Sequence, residues 1–426
     1  MKKNLKSLLS LTLALVLLAS LFSGMAVAED KIKLTWWTIR SEEQINEMLT
    51  DVLADVNEKY DLEIVPIPTS EYEQKLKTAI AGNSAPDIFD VDGVYTANYA
   101  YIGALYPLDE FWPREDFEND YVQSSKDKCT YDGKIYAASL YETACAIFFN
   151  KDHFTAAGID IPAEDTPAWT FDQVIDAAVK CTVIDDLGTI TQYGIIPTMG
   201  AADVNNEGST FLQLFWLWNH GAELLDPEMT TTSGYFDSEK AIDAIQGWQD
   251  LHQTLKVSPL ESIAQGFQTG QVTMMLANIS SVAGLDKNFP DLNYGVLPIW
   301  VGEKDYTTSG GWNIGIYSAS KNPAAAWEVI DALTNEKGHL AFCELTTSMP
   351  SRISVIESMA LLQSYPLLVG ATSMLSNPRA RPVSPAYAEL SPVVCSVFNA
   401  AAYGEDVETL VRNAVRDMNR ILAKYE

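Results

Sequence analysis

Four of the ten tryptophans stand where strand-like segments end or loops begin: Trp36, Trp37, Trp300 and Trp312. An indole ring in such a place offers an apolar face to the C–H surface of a sugar, and neighbouring Asp, Glu, Asn and Arg can take its hydroxyls. Core packing is the competing reading for each of them. Gly310-Gly311-Trp312-Asn313 leans furthest toward a ligand role, because paired glycines let backbone approach closely and free the indole. In Phe215-Trp216-Leu217-Trp218 the two indoles fall on different faces of a helix, so at least one belongs to a core.

Enzyme signatures are sparse. The chain has no Gly-x-Ser-x-Gly elbow, no P-loop and no Gly-x-Gly-x-x-Gly. The four histidines, His153, His220, His252 and His339, lack metal-ligand spacing. Asp185-Asp186 and Asp90-Val91-Asp92 carry the oxygens a Ca²⁺ ion takes, but neither fits the EF-hand loop. A glycosidase needs only two carboxylates at a set separation, and 57 acidic residues supply many pairs, so a secreted glycosidase stands as the competing class. The five cysteines, Cys129, Cys145, Cys181, Cys343 and Cys395, are widely spaced and odd in number. They read as small buried apolar residues more readily than as a disulfide framework.

These residues must be positioned by a folded chain. Its 426 residues are 47% hydrophobic and 20% charged, the balance of a globular protein of two to three domains. The formal charge of −29 leaves no surplus of cations for a general nucleic-acid binder or for an anionic membrane surface. Residues 31–38, 62–67 and 86–91 read as strands, and residues 42–60 and 70–81 as helices, with Ser41 as an N-cap. That alternation opens a parallel α/β sheet. The pattern restarts from Lys134, with strands at 146–150, 193–197, 271–277, 294–299 and 312–318. Helices follow at 170–180, 210–220, 238–255, 323–333 and 405–425. Two α/β lobes without a flexible linker imply short ordered crossings and a cleft between the lobes.

The first 28 residues are a separate object. Lys2, Lys3 and Lys6 precede an apolar run at 11–18, and Ala26-Val27-Ala28 presents the small residues a signal peptidase reads. Cleavage is expected after Ala28. No cysteine follows the apolar run, so no lipobox is indicated, and an exported protein is expected in the periplasm or at the extracellular face of the membrane.

Several short segments recur in a fixed order along the whole chain. They are Trp36-Trp37, Ala81-Gly82-Asn83-Ser84-Ala85-Pro86-Asp87-Ile88, Gly103-Ala104-Leu105-Tyr106-Pro107-Leu108, Asp132-Gly133-Lys134-Ile135-Tyr136-Ala137 and Phe149-Asn150-Lys151. After them come Trp169-Thr170-Phe171-Asp172, residues 267–275, Asn293-Tyr294-Gly295-Val296-Leu297-Pro298, Gly310-Gly311-Trp312-Asn313 and Met349-Pro350-Ser351-Arg352. In this order the chain resembles the extracellular solute-binding proteins of ABC importers, in the carbohydrate-binding class that includes the maltose-binding proteins. The resemblance implies an α/β, two-lobed periplasmic-binding-protein fold of type II, each lobe a mainly parallel sheet flanked by helices, joined by a hinge. Residues 29–136 and 300–348 would form the N-terminal lobe, and residues 137–299 and 349–426 the C-terminal lobe. It implies a binding protein rather than an enzyme, with no cofactor or metal. Its partners would be a small carbohydrate and the transmembrane subunits of an ABC permease, and the chain would act as a monomer. By position the pocket would draw on Trp37, Arg40, Ser41, Glu42, Asp92, Tyr95, Glu142, Thr143 and Trp312, with Arg381 and Tyr387 lesser candidates; pairing with a surface carboxylate is an equal alternative for Arg381. Asn278-Ile279-Ser280 stands where many members place an aromatic residue, which points to a smaller or more polar ligand. A non-sugar solute such as a polyamine remains an alternative for the same fold.

Overall fold

The computed structural model describes residues 31–198 and 206–425, so the expected signal peptide lies outside the described residues. The strands Lys33–Thr38, Asp61–Pro66 and Ile88–Asp92 run parallel, with the first in the centre. Trp312–Ile316 joins antiparallel to Ile88–Asp92, and the short Ala138–Ser139 completes a five-stranded sheet. Leu34, Trp36, Ile88, Ile314 and Ile316 point into its core. The second sheet also has five strands, ordered Tyr294–Pro298, Cys145–Asn150, Val272–Asn278, Ile190–Ile196 and Val183–Ile184. Val272–Asn278 is parallel to Ile190–Ile196, and Cys145–Asn150 runs against both of its neighbours. Every residue of Cys145–Asn150 is buried, as a central strand covered on both faces requires.

The helices form where their caps and apolar spacing direct. Thr170 caps Phe171–Cys181 through a capping box with Gln173, and Val174, Ala177, Ala178 and Cys181 are its buried stripe. Asp406 caps Val407–Leu422, which buries Val407, Val411, Ala414, Val415, Met418 and Leu422 on one face. The helix expected over residues 42–60 is two pieces, Glu42–Thr50 and Ala54–Lys59. At the break Leu53 N donates to Met48 O, one residue wider than an α-turn, and this extra turn lets Leu53 and Val56 reach the core. Glu207–Asn219 is almost wholly buried, and Trp216 and Trp218 are both core.

All five cysteines are buried free thiols. Burial holds the thiols of Cys129 and Cys145 up at about 12. Among the described residues, no helix is long and apolar enough to cross a membrane.

Candidate functional site

The chain passes between the sheets at the same end of each: after Ala138–Ser139 into Cys145–Asn150, and after Tyr294–Pro298 into Trp312–Ile316. The carboxyl ends of Lys33–Thr38 and Ile88–Asp92 open at that end, as do those of Ile190–Ile196 and Val272–Asn278. Crevices at strand ends are the usual ligand sites of α/β folds.

The loop after the first strand is set by a buried carboxylate. Asp90, fully buried, accepts from Trp36 Nε1 at 2.8 Å, Thr38 Oγ1 at 2.7 Å and Ile39 N at 3.0 Å. Burial pushes its carboxyl above the usual range, against the nearby charge of Arg40 and these three donors. Tyr72 Oη donates to both Trp37 O and Asp90 O at 2.9 Å, and its ring meets Trp312 edge-on at 5.4 Å. This holds the Trp37 backbone and the Trp312 ring; both indoles are only partly covered, whereas Trp36 and Trp300 are core. Arg40 is 9% exposed, between the rings of Tyr141 at 4.7 Å and Phe342 at 5.2 Å, with no protein partner for Nε or Nη2.

Two expected site residues are engaged elsewhere. Ser41 closes a capping box with Gln44, so its hydroxyl serves the helix it starts. Glu142 is 1% exposed and meets Lys128 Nζ at 2.6 Å, Ser309 Oγ at 2.7 Å and Ser125 Oγ. Its own N–H donates to Met349 O at 2.7 Å, and Lys128 Nζ also reaches Gly310 O at 2.6 Å. This ion pair ties together the passages at Tyr141–Glu142, Ser309–Gly310 and Met349, which is a structural task. Glu42 is exposed in the first turn of its helix.

The remaining residues converge around Gly310-Gly311. Trp312 pairs in register with Asp92. Gly311 has φ +102°, and a Cβ there would lie 2.1 Å from Tyr141 O, so only glycine fits. A Cβ at Gly310 would find Thr143 Cβ at 3.4 Å, Phe211 Cζ at 3.5 Å and Arg381 Nη2 at 3.6 Å. Arg381 Nη2 donates to Asp92 at 3.2 Å and Nη1 to Glu207 at 2.5 Å, while the guanidinium lies 5.0 Å from the Phe211 ring centre. Burial works against the Arg381 charge, and the two carboxylates overcome it. Glu207 also accepts from Tyr387 Oη at 2.7 Å and from Ser391 Oγ, which places Tyr387 behind the site, fully buried. Tyr95 sits beside this group with Lys77 Nζ 4.9 Å from its ring centre.

Reasoning from sequence missed Glu207, Lys128 and Ser309, and took Asp90 only as a possible Ca²⁺ ligand. Glu207 did carry a signal: it follows the N-cap Asn206 at the head of an apolar helix. Asp90 and Asp92 part company, one to backbone and indole donors and the other to Arg381, and among the described residues no group of three His, Cys, Asp or Glu could hold a metal ion.

On the second sheet's side, a cavity of about 410 Å³ opens at the ends of Ile190–Ile196 and Val272–Asn278. Thr198, Ser262, Gln265, Gln268, Asn278 and Ser281 line it over Ile196, Phe267 and Met275, and among the described residues none of its lining side chains is ionisable.

The pattern of a family described as bacterial extracellular solute-binding protein matches residues 42–339. A Brucella abortus (strain 2308) protein named only as a binding protein is 23% identical over 367 residues, covering 84% of this chain and 85% of that one. Two solved structures share the fold. One is an ABC transporter solute-binding protein from Thermotoga lettingae with α-D-tagatose bound; it is 24% identical with a TM-score of 0.75, over 92% of this chain and 100% of that one. The other is the GacH receptor of Streptomyces glaucescens, solved unliganded and with acarbose; it is 23% identical with a TM-score of 0.77, over 93% and 100%.

Proposed function

The chain belongs to the bacterial extracellular solute-binding protein family, and we propose that it captures a carbohydrate between two lobes and delivers it to the transmembrane subunits of an ABC permease. The observation that carries this reading is the make-up of the cleft. Partly covered indoles stand at Trp37, near the carboxyl end of Lys33–Thr38, and at Trp312, where the chain enters the first sheet, and amides and hydroxyls line the 410 Å³ hollow at the strand ends of the second. Rings take the C–H faces of a sugar, and amides and hydroxyls take its hydroxyl groups. A polyamine would want free carboxylates, and the carboxylates of Asp92 and Glu207 are held by Arg381. The sugars in the T. lettingae and S. glaucescens structures support the same ligand class.

The lobes proposed are those of residues 29–139 with 300–348 and residues 140–299 with 349–426, the first boundary moved from residue 136. The first crossing is drawn at residues 140–144, since Ala138–Ser139 pairs in the first sheet. Ligand contacts are assigned to Trp37, Arg40, Asp92, Tyr95, Thr143, Trp312 and Arg381, with Glu207 added. Glu142 and Ser41 act as scaffold. The sugar leaves unaltered, the signal peptide is cut after Ala28, and the mature protein works outside the cytoplasm as a monomer. Closure buries the ligand and turns occupancy into a shape the permease reads. A thermal-shift screen of residues 29–426 against sugars, polyols and polyamines tests this. A ligand at a hundred times its Kd adds about 2.7 kcal/mol of stability. A shift with sugars is expected, and a shift with polyamines alone would overturn the assignment.

A further inference from the structure

The Asp92–Arg381–Glu207 group joins parts of the chain far apart in sequence. Asp92 ends a strand of the first sheet, Glu207 begins a helix packed in the second lobe's core, and Arg381 stands between them. Arg381 is 8% exposed, and each of its two terminal nitrogens donates to one carboxylate. Nε is buried and has no hydrogen-bond partner among the described residues. The side chains of Asp92 and Glu207 are 16% and 17% exposed. One cation between two carboxylates carries a formal charge of −1. A neutral hydroxyl or ring oxygen could take an N–H that the carboxylates leave unused on Nη1 or Nη2, and would bring no further charge to the group. A carboxylate or phosphate taking one of those donors would bring a further negative charge to a group that already sets two carboxylates against one cation.

Resting on the carbohydrate reading, we propose that Asp92 and Glu207 are specificity-determining residues that close the cleft to anionic sugars by occupying Arg381. This is selection by a repulsive element as well as an attractive one. Tyr387 and Ser391 enforce it, because their hydroxyls hold Glu207 where Nη1 must meet it. Neutralising either carboxylate removes one repulsive charge and leaves a weaker, neutral acceptor on that arm of the guanidinium, which an anionic ligand can displace to take the paired donors.

The test uses the mature chain with matched probes: D-galactose with D-galacturonate, D-glucose with D-glucuronate, maltose with maltobionate, and inorganic sulfate alone. Binding is read by calorimetry for wild type, Asp92→Asn, Glu207→Gln and Asp92→Asn/Arg381→Met. Wild type is expected to bind at least one neutral sugar, and to bind its acid at least tenfold more weakly or not at all. Asp92→Asn and Glu207→Gln should each gain at least tenfold for acids or sulfate, and Arg381→Met should abolish the gain. Because Asp92 lies at a strand end, its variant keeps the test open even if Glu207→Gln fails to fold. Wild type binding acid and neutral sugar equally well would overturn the proposal, as would a folded Asp92→Asn that gains no anion. If wild type binds no neutral sugar while Asp92→Asn gains sulfate, the anion-excluding role stands and the carbohydrate reading falls.

Discussion

Lys128→Met tests the ion pair that ties the crossings together. Lys128 and Glu142 side chains are 6% and 0% exposed and 2.6 Å apart. Removing the ammonium leaves the Glu142 carboxylate with only Ser125 and Ser309, and leaves Gly310 O without its donor. Stranding one member of a buried pair costs about 3–5 kcal/mol. That raises the unfolding constant between about a hundredfold and a few thousandfold. The assay is urea unfolding followed by tryptophan fluorescence and circular dichroism, whose coincidence licenses a two-state free energy. The double variant Lys128→Met/Glu142→Leu should recover most of the loss, because it removes the stranded charge along with its partner. A loss below about 1 kcal/mol, the worth of an exposed pair, would refute the reasoning. So would a double variant no more stable than the single one.

Gly311→Ala, with φ +102° and Tyr141 O at 2.1 Å, should lose more than about 1 kcal/mol of stability in the same assay, while Gly310→Ala, whose contacts start at 3.4 Å, should unfold close to wild type. Trp36→Ala should cost about 3–5 kcal/mol of stability because Trp36 is core. Trp312→Ala should instead weaken sugar binding about tenfold by calorimetry, a change of about 1.4 kcal/mol. Burial lowers His339 to about 3 and His252 to about 4, both below the ordinary histidine value of 6.5. As pH falls below 6.5 the unfolded chain takes up protons that the folded one refuses. Each histidine should therefore remove about 2 kcal/mol of stability by pH 5, and His252→Gln/His339→Gln should flatten that slope in thermal melts between pH 7 and 5.

The parts of the fold visible in the sequence were those written in local pattern. Ser41 and Thr170 announce their helices because a capping hydroxyl acts within three residues. Gly310-Gly311 flags a close backbone approach, and the structure supplies its reason in Tyr141 O. What stayed hidden depends on pairing across long separations. Nothing local to Glu142 reveals that Lys128, Ser309 and Met349 all converge on it, so an acidic residue just past a crossing reads as a ligand group. Glu207 acquires its place from Arg381 and Ser391, each more than a hundred residues away. The break after Thr50 escaped notice because residues 42–60 keep a helical period through it, and only the depth of Leu53 in the core demands the wider turn.

The central claim is that two lobes close on a carbohydrate and release it unchanged. Small-angle scattering of the mature chain, alone and saturated with the sugar giving the largest thermal shift, tests it most directly when the sugar is then recovered and chromatographed. A smaller radius of gyration with ligand, and sugar recovered intact, are expected. An unchanged radius at saturation, or cleaved sugar in the eluate, would contradict it.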